Sequence, residues 1–242
     1  MFFAASSVLL AALAGVAQAQ TPQGFKPAVN TKLDVMFNTS MVMEPGQLLT
    51  KAATASQPQI AVSDAKADQT YVFMMVDLDV PPMGGGNGTR RTLLHAMNTG
   101  FKATQQSMGG AMLLATTDKG PATYIGPSPP PQDTIPHRYV EMLFKQPESL
   151  QVSATDFANS QSRIGFDVES FVKENNLGEP LAANFFTVDG RAKGGASASG
   201  TAASSGGMPQ NTVQPFTGAG RKLDVSFELV AGLTGLLAFL GV

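Results

Sequence analysis

Thr70-Tyr71-Val72-Phe73-Met74-Met75-Val76-Asp77-Leu78-Asp79 is apolar on both of its alternating faces until it reaches an acidic end. That pattern predicts a central strand covered on both sides. Outward from it a two-residue period persists: Leu33, Val35 and Phe37 share one face of TKLDVMFN, and Val140, Met142 and Phe144 share one face of RYVEMLFK. Both read as half-buried strands. Shorter strands are predicted at Leu93 to Thr99 and Ala183 to Val188. One helix is convincing, Val168 to Asn176, with Asp167 as its cap, Glu169 in its first turn, Phe166 and Phe171 spaced as a staple and Gly178 as the stop. Strands joined by turn-rich segments outnumber that helix, so the fold class is mainly β, an antiparallel β-sandwich-like core with a few peripheral helices.

The two ends read differently from the middle. Residues 1–19 are an uncharged apolar run closing on Ala17-Gln18-Ala19, the small-x-small pattern of a cleaved signal peptide. From Arg191 to Gly220 the chain is mostly Gly, Ala, Ser and Thr, a composition too poor in large apolar side chains to pack, which reads as a flexible stalk. Gly218-Ala219-Gly220, a polar stretch Arg221 to Glu228 and an uncharged tail Leu229 to Val242 follow in the order of a glycosylphosphatidylinositol attachment signal. The expected organisation is therefore a signal peptide (1–19), one folded domain (20–190), a stalk (191–220) and a hydrophobic propeptide (221–242). Asn38-Thr39-Ser40 and Asn87-Gly88-Thr89 are acceptor sequons, which fit a secretory route to the cell surface.

A net charge of −2 without a basic run disfavours nucleic acid as a partner, and the membrane is expected to be met through the lipid anchor alone. The absence of cysteine excludes disulfides, thiolate nucleophiles and cysteine metal sites, so stability falls to the apolar core.

The chain has two histidines, His95 and His137. His95 follows the acidic strand end and a Gly-rich excursion, Gly84 to Gly88; His137 opens a strand after Gly126-Pro127-Ser128-Pro129-Pro130-Pro131, a loop stiffened by proline. Carboxylates beside imidazoles set the tautomer and raise the histidine pKa, which yields a donor-rich site suited to phosphate, sulfate or carboxylate. Histidines packed without function, with Asp77 and Asp79 merely ending a strand, explain the same residues.

Asp77-Leu78-Asp79-Val80-Pro81, Arg91 four residues before His95, Tyr124-Ile125-Gly126-Pro127-Ser128-Pro129-Pro130, and His137-Arg138-Tyr139 together resemble the phosphatidylethanolamine-binding protein family, in that order and at similar spacing. The resemblance continues through Gly178-Glu179-Pro180-Leu181-Ala182 to Phe185-Phe186. It implies that family's β-sandwich-like fold and a shallow pocket for phosphate-bearing or other small anions, the phosphatidylethanolamine headgroup among them. Asp77, Asp79, Pro81, His95, Gly126, Ser128, His137 and Tyr139 match the lining positions; Arg91 and Arg138 match positions that support the rim. Three departures stand out against the family: Leu78 where proline is frequent, a Gly-rich insertion carrying Asn87, and a one-residue excess in the loop Pro131 to Pro136.

The first expectation is thus a binding protein without catalytic activity, cofactor or metal. The resemblance also implies a second, inhibition of a serine carboxypeptidase or other serine protease through an exposed surface. A metal-dependent enzyme built on Asp-x-Asp and the two histidines is a third; no Gly-x-Ser-x-Gly elbow or His-Glu-x-x-His helix accompanies them.

Overall fold

Period-two runs of Val, Ile, Phe, Tyr and Met favour extended chain because their side chains pack well on a pleated surface, and ten strands form in the computed structural model. It describes residues 18–84 and 88–192. The expected leader up to Ala17, the sequon residue Asn87, the stalk beyond Ala192 and the attachment candidates Gly218, Ala219 and Gly220 lie outside the described residues.

In chain order the strands are β1 (Asp34–Phe37), β2 (Ser40–Met41), β3 (Gln47–Leu49), β4 (Gln59–Val62), β5 (Thr70–Val80), β6 (Arg91–Met108), β7 (Ala111–Ala115), β8 (Pro121–Ala122), β9 (His137–Lys145) and β10 (Ala182–Val188). They lie in the order β2-β1-β4-β7-β6-β5-β9-β10-β3, with β8 beside β6. The pairings are antiparallel except that of β10 with β3. A parallel bridge between Lys32 and Ala183 brings the approach to β1 against β10, with Leu33 N donating to Ala183 O at 2.8 Å. The sheet therefore curls over on itself and encloses a core.

The central position of β5 follows from its sequence. Tyr71, Phe73 and Met75 join Leu33, Val35, Phe37, Leu143 and Phe186 inside the curl. Val72, Met74 and Val76 face the other way, with Val140, Met142 and Phe144, and are covered by Phe157, Val168 and Leu177. The helix α1 (Val168–Glu174) supplies part of that cover; the Asp167 carboxylate accepts from Ser170 N at 3.1 Å, and the Phe166 and Phe171 rings pack at 5.2 Å. Two short 3-10 turns, Ala154–Phe157 and Gln161–Arg163, precede it.

Two expectations change. RYVEMLFK is buried on both faces rather than one, from Tyr139 through Phe144, because β9 sits between β5 and β10 with helical segments over its outer side. The strand expected at Leu93 to Thr99 runs on to Met108. Its first half pairs with β5 and its polar second half, KATQQS, pairs with β7, past Gly100 at φ 72. A polar run that leaves the core carries no hydrophobic period to betray it.

Candidate functional site

Because β5 is antiparallel to both neighbours, its acidic end meets the beginnings of β6 and β9. Asp77 lies opposite Leu93 and Tyr139 in the two registers, and His95, two residues beyond Leu93, falls on the same side. Asp77 Oδ2 sits 2.8 Å from His137 Nδ1 and 3.9 Å from His95 Nε2, while its Oδ1 accepts from Asp79 N at 2.7 Å. The Tyr139 ring stands between the imidazoles, edge-on to His95 at 5.1 Å and near-parallel to His137 at 6.4 Å. All five residues are buried.

Two arginine forks close the outer side. Arg138 donates from Nε and Nη2 to the two oxygens of Asp79, both at 2.8 Å, and its backbone N adds a third bond at 2.8 Å. Arg90 holds Asp133 in the same way, at 2.8 and 2.7 Å, and also donates to the Asp79 carbonyl. Asp133 Oδ2 in turn lies 2.8 Å from His137 Nε2. Arg91 braces the rim by donating from Nε and Nη2 to the Pro81 carbonyl at 3.2 and 3.0 Å.

This geometry assigns the protons. Both His137 nitrogens face carboxylate oxygens, so both must donate and the ring is an imidazolium. Burial alone would lower its pKa, but the bonds and charges of Asp77 and then Asp133 outweigh burial and raise it. His95 goes the other way. Its Nδ1 lies 2.6 Å from the Ile125 carbonyl, which can only accept, so the proton sits on Nδ1 and Nε2 is left as a bare acceptor. Burial lowers the His95 pKa, against the opposing pull of Ile125 and Asp77. Asp133 is held well below the usual carboxylate range, chiefly by Arg90; Asp79 is lowered too, its bonds to Arg138 overcoming the cost of burial. Three carboxylates, Asp77, Asp79 and Asp133, thus face Arg90, Arg138 and the His137 cation in balance. Two buried atoms of the cluster make no hydrogen bond of good geometry, His95 Nε2 and the Tyr139 hydroxyl, the latter lying beside Asp77.

The phosphatidylethanolamine-binding protein family model matches residues 39–186 of this sequence. The chain belongs to that family. Among its curated relatives, the phomoidride biosynthesis cluster protein N of Talaromyces stipitatus is 36% identical over 197 residues, 74% of this chain and 96% of the relative. The carboxypeptidase Y inhibitor of Saccharomyces cerevisiae is 29% identical over 150 residues, 56% of this chain and 67% of the inhibitor. The solved structure of carboxypeptidase Y inhibitor complexed with its cognate proteinase matches the fold with a TM-score of 0.50 at 24% identity, covering 66% of this chain and 83% of that one. The mainly β, sandwich-like fold and the family expected from the motifs both stand.

Within this family member the structure brings Asp77, Asp79, His95, His137 and Tyr139 into one cluster, with Arg138 bonded to it; Pro81 is bonded to Arg91, and no hydrogen bond among the described residues ties either of them to the cluster. Gly126 follows the carbonyl that fixes His95, and a Cβ there would meet the Thr54 and Ala55 carbonyls at 3.4 Å, an ordinary contact distance. Ser128 is exposed, and no hydrogen bond among the described residues ties it to the cluster. Asn38 is exposed in a turn at φ 51. No group of three or more His, Asp or Glu side chains among the described residues is arranged to hold a metal ion. Three surface clefts among the described residues, of about 550, 430 and 270 Å³, lie around Gln146, Gln57 and Phe166.

Sequence reasoning missed Arg90, Asp133 and Arg163. Arg163, buried near His95, donates to the Phe157 and Thr123 carbonyls at 3.1 and 2.7 Å, and burial lowers its pKa. The one-residue excess of the 131–136 loop was the signal for Asp133; nothing in the sequence singles out the two arginines.

Proposed function

We propose that this protein is a non-catalytic binding protein that holds a small phosphate- or carboxylate-bearing ligand, a phospholipid headgroup among them, between His95 and Tyr139. The observation that carries the reading is that His95 Nε2 and the Tyr139 hydroxyl are buried beside Asp77 with no hydrogen bond of good geometry. A buried polar atom left unpaired costs about 1–3 kcal/mol, and a ligand that pairs both recovers that cost. The secretory leader, the sequons at Asn38 and Asn87, the stalk and the tail support presentation at the cell surface on a lipid anchor attached near Gly218.

The protons shape what binds. Tyr139 can donate to an anion, but His95 Nε2 can accept only, so either the ligand brings a proton, as a monohydrogen phosphate does, or His95 takes one up on binding. His95 is faced by Asp77 from β5, by Tyr139 and His137 from β9 and by Arg163 from its 3-10 turn. Asp77 stabilises a proton on it; the two cations and burial oppose one. Anion affinity therefore rises as pH falls. Calorimetric titration of the purified full-length chain with phosphoethanolamine, inorganic phosphate and acetate at pH 5.5 and 7.5 tests this. Binding that is tighter at pH 5.5 and weakened in His95→Ala and Tyr139→Phe is the expected result. Absence of heat with every ligand removes the pocket reading.

A second reading, inhibition of a carboxypeptidase through an exposed surface, is supported by the relatedness to the yeast inhibitor. Inhibition by that route is expected to survive His95→Ala intact.

A further inference from the structure

Asp133 is the one carboxylate of the cluster that comes from a loop rather than from a strand. It lies between β8 and β9, in the segment Pro131 to Pro136, whose Pro131, Gln132, Thr134 and Ile135 are exposed while Asp133 itself is buried. Its backbone is held by one bond, Asp133 N to Pro130 O at 3.1 Å, and no ladder pairing fixes the segment. The side chain reaches inward, takes the face of His137 that Asp77 leaves free and meets the Arg90 fork head-on. A carboxylate between an imidazolium and a bidentate guanidinium has the surroundings a bound anion would have.

We propose that Asp133 is a built-in stand-in for the ligand: its carboxylate fills the anion position offered by His137 and Arg90, and an external phosphate or carboxylate reaches those two cations only by displacing it. This rests on the anion-pocket reading and sharpens it, dividing the pocket into an open half, His95 and Tyr139, and a half closed by the chain itself.

The chemistry favours exchange over permanent closure. The Arg90 side chain is 28% exposed, so an anion reaches the fork from solvent. Acetate has the same charge and fork geometry as the Asp133 side chain, and phosphate adds a third acceptor. A tethered group competes at an effective concentration of roughly millimolar or above, so free anions well below that level leave the closed half untouched. The device selects for ligands that bring more than a bare charge: an anion that also pairs with His95 and Tyr139, or one carried on a headgroup with further contacts.

Histidine-selective NMR during phosphate titration reads each half separately, because the chain has two histidines. In the unaltered full-length chain, submillimolar phosphate is expected to move the His95 signals and leave His137 in place; excess phosphate then moves His137 together with the Thr134 and Ile135 amides as the loop yields. In Asp133→Ala, phosphate is expected to move both histidines at once and to bind at least about tenfold more tightly. Glycerophosphoethanolamine, run beside inorganic phosphate, separates a lipid headgroup from the free ion as the anion admitted. Equal affinities with identical histidine shifts in the two proteins would overturn the proposal and leave the pocket reading standing. If phosphate moves neither histidine in either protein, both fall. Should Asp133→Ala fail to fold, the unaltered chain decides the matter without any variant: a two-step response is expected, and His137 moving together with His95 at submillimolar phosphate would overturn the proposal.

Discussion

Two stretches of one strand treat buried charge in opposite ways. At the start of β9, His137 is bonded to Asp77 and Asp133, and Arg138 pairs with Asp79. Four residues further along the same face Glu141 is fully buried, and neither of its oxygens has a hydrogen-bond partner. Burial raises its pKa well above the ordinary value, towards the neutral acid. The difference shows that depth alone does not decide the state of a carboxyl group. With partners in fixed geometry the charge is kept; without them the proton is kept instead.

Breaking the partnered end has the largest expected effect. Asp77→Ala removes the acceptor of both His137 Nδ1 and Asp79 N and leaves a buried cation with one carboxylate fewer, a loss of about 3–5 kcal/mol that urea denaturation would read. The contrasting substitution at the unpartnered end has the opposite sign. Glu141→Leu removes an unsatisfied buried acid and is expected to stabilise the fold by about 1–3 kcal/mol at pH 8. An unfolded Glu releases its proton near pH 4.3, whereas the folded one holds it to higher pH, so the unaltered chain loses stability as pH rises above that point. The advantage of Glu141→Leu therefore grows from pH 4 to pH 8; an advantage that is flat across this range would contradict the account.

The smallest effect concerns His137 and is best measured in the Glu141→Leu background, where the carboxyl contribution is gone. Its folded pKa is raised, so its stabilisation is complete below the unfolded value of about 6.5 and is lost as pH climbs through the folded value. The urea midpoint should decline on the alkaline side of pH 6.5, and His137→Gln should flatten that decline while lowering stability at every pH.

The comparison also marks how far the sequence could be read. β5 was legible because six apolar residues, Tyr71 to Val76, precede Asp77 without a polar break, and the cluster was legible because Asp77, His95, His137 and Tyr139 each sit inside a motif that recurs at family spacing. β4 and β7 were not, since four- and five-residue strands give too little periodicity. Period two puts Glu141 on the opposite face of β9 from Val140 and Met142, and that face is internal only because the curl of the sheet encloses it with Tyr139 and Leu143. Arg90 and Asp133 lie 43 residues apart, and which of two adjacent arginines turns inward is set by the loop path rather than by local pattern.

The central claim is that the two histidines are held in different protonation states by their partners. Long-range nitrogen–proton correlation spectra of histidine-labelled full-length protein at pH 7 test it most directly. The account predicts one ring protonated on both nitrogens, lost in His137→Gln, and one neutral ring carrying its proton on Nδ1, lost in His95→Ala. A neutral His137, or a His95 with its proton on Nε2, would contradict it.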